Sequence, residues 1–232
     1  MRDSMVGAFR SAFTDLAAHA DVLLLAGDLT EGGRLNEADL LCAEIAALPV
    51  PVVAVLGNHD HDRRQGYRIA TMLTALGVHM LDGEAITLDI AGIQLGIAGV
   101  MGGSGGFPHY PGTPDEGTTE HRARTRRGPV DALRLRQALD TLTCETRIAL
   151  MHFAPVTDTL VGEPRKIYAG LGCHDLAEAV DAGRAALAIH GHAHNGTEFG
   201  RTAGGVPVRN VSYSVIGNSY AVYKVAPIQA DN

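Results

Sequence analysis

The sequence predicts an α/β fold whose buried strands deliver polar residues to one edge of a sheet. Two observations carry this. Short apolar, β-branched runs alternate with helix-length amphipathic stretches through the first half of the 232-residue chain. Four such runs, ending near residues 26, 56, 151 and 189, pass directly into Asp, Asn or His, and open α/β sheets place ligand chemistry at that end of their strands.

Taken in order, residues 4–20 read as a helix, with Val6, Phe9, Phe13, Leu16 and Ala17 at three-to-four residue spacing and Asp3 or Ser4 as cap. Residues 21–26 form a short apolar run that reads as a buried parallel strand and ends in Gly27-Asp28. Leu35 to Leu48 is an Ala- and Leu-rich helix closed by Pro49 and Pro51. Residues 52–56 form the central strand, and Gly57 lets the chain turn into Asn58-His59-Asp60. A helix over 65–76 and a strand over 78–81 follow. Residues 85–89 and 93–99 read as a hairpin turning near Ala91-Gly92.

Met101 to Gly128 is rich in Gly and Pro and reads as a long irregular segment. Its Arg122, Arg124, Arg126 and Arg127 fit either a lid that meets phosphate or, more plainly, a solvated surface loop. Pro129 to Leu142 is a helix with Pro near its start. Residues 147–151 are a strand ending in His152, 174–182 a helix, and 185–189 a strand ending in His190-Gly191-His192-Ala193-His194. Three further strands are expected near 196–201, 206–211 and 219–225. No repeat or linker interrupts the chain, which reads as one domain over 1–232.

Composition narrows the function. The balance of 19 Lys+Arg against 26 Asp+Glu argues against broad, salt-driven nucleic-acid binding. A phosphorylated small substrate stays open, because a metal ion supplies positive charge locally. Cys42, Cys144 and Cys173 share no short spacing, so no disulfide framework or zinc knuckle is indicated and a reducing cytoplasm is expected. No apolar segment reaches the length of a membrane span, and residues 1–20 lack the layout of a signal peptide.

Asp28, Asn58, His59, Asp60, His152, His192 and His194 therefore sit just past buried strands. Mixed Asp, Asn and His donors suit borderline-to-hard divalent ions such as Mn, Fe or Zn. The order Gly27-Asp28, Gly57-Asn58-His59-Asp60, His152, Gly191-His192-Ala193-His194 resembles the calcineurin-like metallophosphoesterases over essentially the whole chain. The resemblance implies a four-layer α/β/β/α sandwich and two divalent metal ions. It implies that Asp28 bridges both ions, that Asn58, His152 and His192 hold one, and that His194 holds the other. A hydroxide between two ions roughly 3.5–4 Å apart would attack a phosphate mono- or diester. His59 would protonate the leaving group, oriented by a carboxylate, with Asp60 and Glu31 as candidates.

The chain departs from the family pattern at one point. That pattern opens with Asp-x-His at the end of a first strand, and here Asp3-Ser4-Met5 passes directly into helix. A Met thioether is a poor ligand for these ions. The first strand is thus expected to be absent, leaving one site with Asp28 and His194 alone. A second reading follows: an N-terminally truncated or inactive relative, holding one ion, that acts as a binding or regulatory protein. Specificity is expected to come from the loops at 101–128 and 155–173.

Overall fold

The computed structural model describes residues 12–113 and 117–225. Its strands form two principal sheets. The smaller is parallel and carries β1 (Leu23–Ala26), β2 (Val52–Val55) and β3 (His79–Met80) in that order. The larger has six strands, built from β4 (Glu84–Ile90), β5 (Ile93–Val100), β8 (Thr146–Met151), β9 (Leu187–His190), β10 (Phe199–Arg201) and β11 (Pro207–Asn210). Its order is β10-β11-β9-β8-β5-β4, parallel from β11 to β5 and antiparallel at both edges. A two-residue hairpin, β6 (Gly106–Phe107) with β7 (Tyr110–Pro111), stands apart.

Three apolar clusters show how the layers stack. Val53 and Val55 from the small sheet meet Ile97, Ile148, Leu150 and Ile189 from the large one, so the sheets pack face to face. Both strand sets are apolar on each face because each sheet is covered twice. On the outer face of the small sheet, α1 (Leu35–Ile45) and α2 (Gly66–Thr74) bury Leu41, Ile45, Ile69 and Leu73. On the outer face of the large sheet, α3 (Thr119–Thr141) and α4 (His174–Ala182) bury Leu135, Leu139, Leu176 and Val180. The layers are α/β/β/α.

The hairpin expected at Ala91-Gly92 is present, with both residues at positive φ (52° and 88°), as a tight two-residue turn requires. Three expectations are corrected or limited. The irregular segment assigned to 101–128 becomes helical at Thr119, and Pro129 lies inside α3. Thr118 caps that helix, its hydroxyl accepting from the His121 amide at 3.1 Å, and the arginines at 122, 124, 126 and 127 are good helix formers. Proline loses only one helical hydrogen bond there, and Gly128 lets the helix pass close to the Ser104 backbone. Residues 219–225 are not a strand: a helical turn, Tyr213–Ile216, closes on left-handed Gly217, and Tyr223 and Val225 pack beside the inter-sheet core without joining a ladder. Of the helix placed at 4–20, residues 4–11 lie outside the described ones; further on a 3-10 turn, Leu16–Ala18, buries Leu16.

The arginines of α3 are largely committed. Arg127 and Arg134 both reach Asp82 and the buried Asp131, and Arg136 pairs with Asp140. Asp131 also accepts the Gly102 amide, tying α3 to the end of β5. Among the described residues no helix is long and apolar enough to cross a membrane.

Ile97 is fully buried between the sheets, whereas Ile93 on the same strand is 53% exposed. Ile97→Ala should cost about 2–5 kcal/mol of unfolding free energy. Ile93→Ala should change it by less than about 0.5 kcal/mol. Paired urea titrations check the contrast.

Candidate metal centre

The carboxyl ends of β1, β2, β8 and β9 meet where the two sheets face each other. Asp28 follows β1 at a φ of 51°, and His192 follows β9 at 68°, both in the left-handed region. Such conformations cost of the order of 1–3 kcal/mol each and persist where the surroundings over-determine them. Two glycines make the approach possible. A Cβ on Gly27 would lie 2.5 Å from the His152 ring, and one on Gly57 would lie 2.2 Å from Asp28.

Asp28, His152 and His192 each offer an atom such that all three lie within 4.8 Å of one another. His152 Nδ1 donates to the Ala26 carbonyl at 2.8 Å, which aims Nε2 at the group. That nitrogen is 3.3 Å from Asp28 Oδ1 and 3.0 Å from Asn58 Oδ1. Oxygen acceptors crowding one nitrogen need a cation among them. A proton on His152 meets that need, and so would a divalent ion in its place, so the donor set fits the metal implied by the resemblance.

The electrostatics agree. Burial pulls the Asp28 carboxyl upward, but the charge and hydrogen bond of His152, with the His59 amide, outweigh it and hold the carboxyl well below the usual range. Burial pulls His152 downward, and the Asp28 carboxylate reverses the shift. Burial and the charge on His152 together hold His192 well below an ordinary histidine, so its imidazole is neutral and available as a ligand. His190 is buried, pushed down to about 4, and satisfied by the Gly191 carbonyl and the Thr159 hydroxyl; it is a structural histidine.

Not every expected site residue joins the group. His194 is exposed and lies outside the converging three. His59 stands at the rim, its Nε2 3.9 Å from Asp28 Oδ2 and its backbone amide bound to Asp28 Oδ1 at 2.9 Å. Asp60 does not orient His59. Its buried carboxylate accepts the amides of Leu29, Thr30 and Gly57 and the Thr30 hydroxyl, locking the turn after β1 to the turn after β2. His59 Nδ1 instead meets Asp62 Oδ2 at 2.8 Å, so Asp62 stands where Asp60 or Glu31 was expected. His59–His61 form a 3-10 turn, in which residues three apart lie on one side. The spacing His-x-x-Asp was the available signal for Asp62.

A cavity of about 250 Å³ opens between segments 107–110 and 156–158, with His174 and Arg201 on its wall. These segments belong to the two loop regions expected to set specificity.

A family model described as calcineurin-like phosphoesterase matches residues 6–196. The chain belongs to that family. It is thus a phosphoester hydrolase of a group that generally binds divalent metals. No curated protein matches this phosphoesterase in sequence. Its fold is similar to that of TT1561 from Thermus thermophilus, at 17% identity over 90% of this chain and 83% of that one, with a TM-score of 0.62. A second solved structure matches with a TM-score of 0.64 at 15% identity, over 91% of this chain and 86% of the other. At such identities the likeness concerns the fold.

Asp60→Ala would strand three backbone amides and should destabilise the phosphoesterase by about 3–5 kcal/mol. Asp62, half exposed, should cost under about 1 kcal/mol when changed to Ala. Urea unfolding of the two variants separates the carboxylates.

Proposed function

We propose that this chain, as a single domain, hydrolyses a small phosphate mono- or diester with divalent ions held by Asp28, Asn58, His152, His192 and His194. The convergence of Asp28, His152 and His192 within 4.8 Å carries this reading. Mn, Fe or Zn suits the donors. Bound there, such ions polarise the phosphoryl oxygens and activate water for attack.

The protein's own groups do the rest. Asp28 supplies negative charge to the cation site, held ionised by its neighbours. The Asn58 amide oxygen and the imidazoles of His152 and His192 complete one binding position. His59 holds a proton at Nε2 and passes it to the leaving alkoxide, while Asp62 accepts from Nδ1 and fixes the ring. This gives Asp62 the orienting role that the sequence offered to Asp60 or Glu31. The cavity between 107–110 and 156–158 supports these loops as determinants of specificity. Ion pairing of Arg127, Arg134 and Arg136 supports a small substrate over a nucleic acid. Three free thiols, one of them buried, support a reducing, cytoplasmic setting.

A second reading, a one-ion binding or regulatory protein, draws on the exposed position of His194 outside the converging group. Metal stoichiometry after saturation with Mn and desalting discriminates. Two ions per chain with Mn-stimulated release of nitrophenol from its phosphate esters support the hydrolase. One ion without turnover supports the alternative and removes the catalytic proposal.

His59→Asn should lower turnover about 10²–10⁴-fold and leave metal content unchanged, as a proton donor outside the ligand set would. Loss of metal in that variant would reassign His59 as a ligand.

The His152 proton must leave when an ion binds. The raised pKa keeps that proton in place to higher pH than in an ordinary histidine. Apparent Mn affinity should therefore climb by about tenfold per pH unit below that pKa, level off above it, and be lost as pH falls. Calorimetric titration across pH, with proton release counted from buffers of different ionisation enthalpy, measures it.

A further inference from the structure

We propose that Glu163 and Asn210 are positioning residues that set the geometry of His192 and His194 by clamping the turn that carries them. The proposal rests on the reading of those histidines as metal ligands.

The turn runs from Gly191 to Asn195, and its backbone is held from several sides. Asn210, fully buried at the end of β11, donates from Nδ2 to the Ala193 carbonyl at 2.7 Å. Its own Oδ1 accepts the Ser212 amide, so the side-chain amide is fixed at both ends. Glu163 grips the far side of the same turn. Its Oε1 accepts the Asn195 amide at 2.8 Å and its Oε2 accepts Asn195 Nδ2 at 3.1 Å. Glu163 is 8% exposed. A carboxylate buried against a loop backbone is a costly way to hold that loop unless its position matters.

The surroundings leave the turn little room. A Cβ on Gly162, next to Glu163, would come within 2.1 Å of the Asn195 carbonyl. One on Gly196 would come within 2.1 Å of the Thr159 carbonyl. His192, at its positive φ, lies between Gly191, whose amide bonds the His152 carbonyl, and Ala193, whose carbonyl is bound to Asn210. Release of either clamp lets the backbone at 192–194 relax and moves both imidazoles relative to Asp28. Neither Glu163 nor Asn210 touches the converging ligand atoms, so they act through the main chain.

The test compares Mn binding by calorimetry, and the Mn concentration that half-activates hydrolysis, in the full chain and its variants. Glu163→Ala and Asn210→Ala should each weaken Mn affinity about 10–100-fold. Turnover at saturating Mn should return towards that of the parent. Glu163→Gln keeps an acceptor for the Asn195 amide and should recover most of the affinity. Unchanged Mn affinity in folded Glu163→Ala and Asn210→Ala, even with a lowered melting temperature, would overturn the proposal. If the alanine variants do not fold, Glu163→Asp, whose shorter side chain withdraws the carboxylate from Asn195, and Asn210→Ser carry the same comparison, and unaltered affinity in both overturns it equally. His192→Ala serves as the control. If it still binds Mn as the parent does, the ligand reading itself has failed, and the positioning role falls with it.

Discussion

A half-buried carboxylate at the seam of two sheets is the constraint on which this structure turns. Asp28 comes from the end of β1 in the small sheet and His152 from the end of β8 in the large one. Each would be unfavourable there alone, since burial opposes the charge on both. Brought to 3.3 Å they compensate each other. The contact exists only while the sheets are packed, so the aliphatic layer between them, with Val53, Ile97 and Leu150 at its heart, is also what defines the site. A metal ion would inherit this arrangement and relieve it, taking the position that a shared proton otherwise fills.

Two carboxylates in one short turn do different work. Asp60 faces inward and commits its lone pairs to backbone amides from two loops. Asp62, two residues on, faces solvent and holds an imidazole. Burial separates a group that ties two loops together from one that meets His59 at the surface. The loop after β9 follows the same division, with His190 closed into the core and His192 turned towards Asp28.

Much of this was legible in the sequence, for a physical reason. Strands buried on both faces are apolar throughout, so the first polar residue after each one marks its carboxyl end. That pointed to Asp28, Asn58 and His152, and to the stretch His190–His194, in which the first histidine is structural and His192 turns towards Asp28. The resemblance implied four layers, and the clusters at Ile69, Ile97 and Leu139 show them. Other features left weaker traces. Pro129 looks like a helix start, and only a cap at Thr118 reveals the helical residues that precede it. The apolar residues near 219–225 suggest a strand, but Tyr223 and Val225 anchor the segment beside the core without forming a ladder. Asp60 is the neighbour of His59 in sequence and Asp62 its neighbour in space, because adjacency does not say which way a 3-10 turn points its side chains. Glu163 and Asn210 were invisible because they bind main chain far away in sequence.

The glycines that flank Asp28 widen the functional footprint beyond the groups that carry chemistry. Gly27 and Gly57 contribute no side-chain donor, acceptor or charge. Yet a single methyl at either would drive into the His152 ring or into Asp28 itself. Loss of function at these positions would come from volume, and it would look like loss of a ligand. A mutational map of this protein should therefore contain sensitive sites with no reactive atom, placed where two loops mesh like the teeth of a gear.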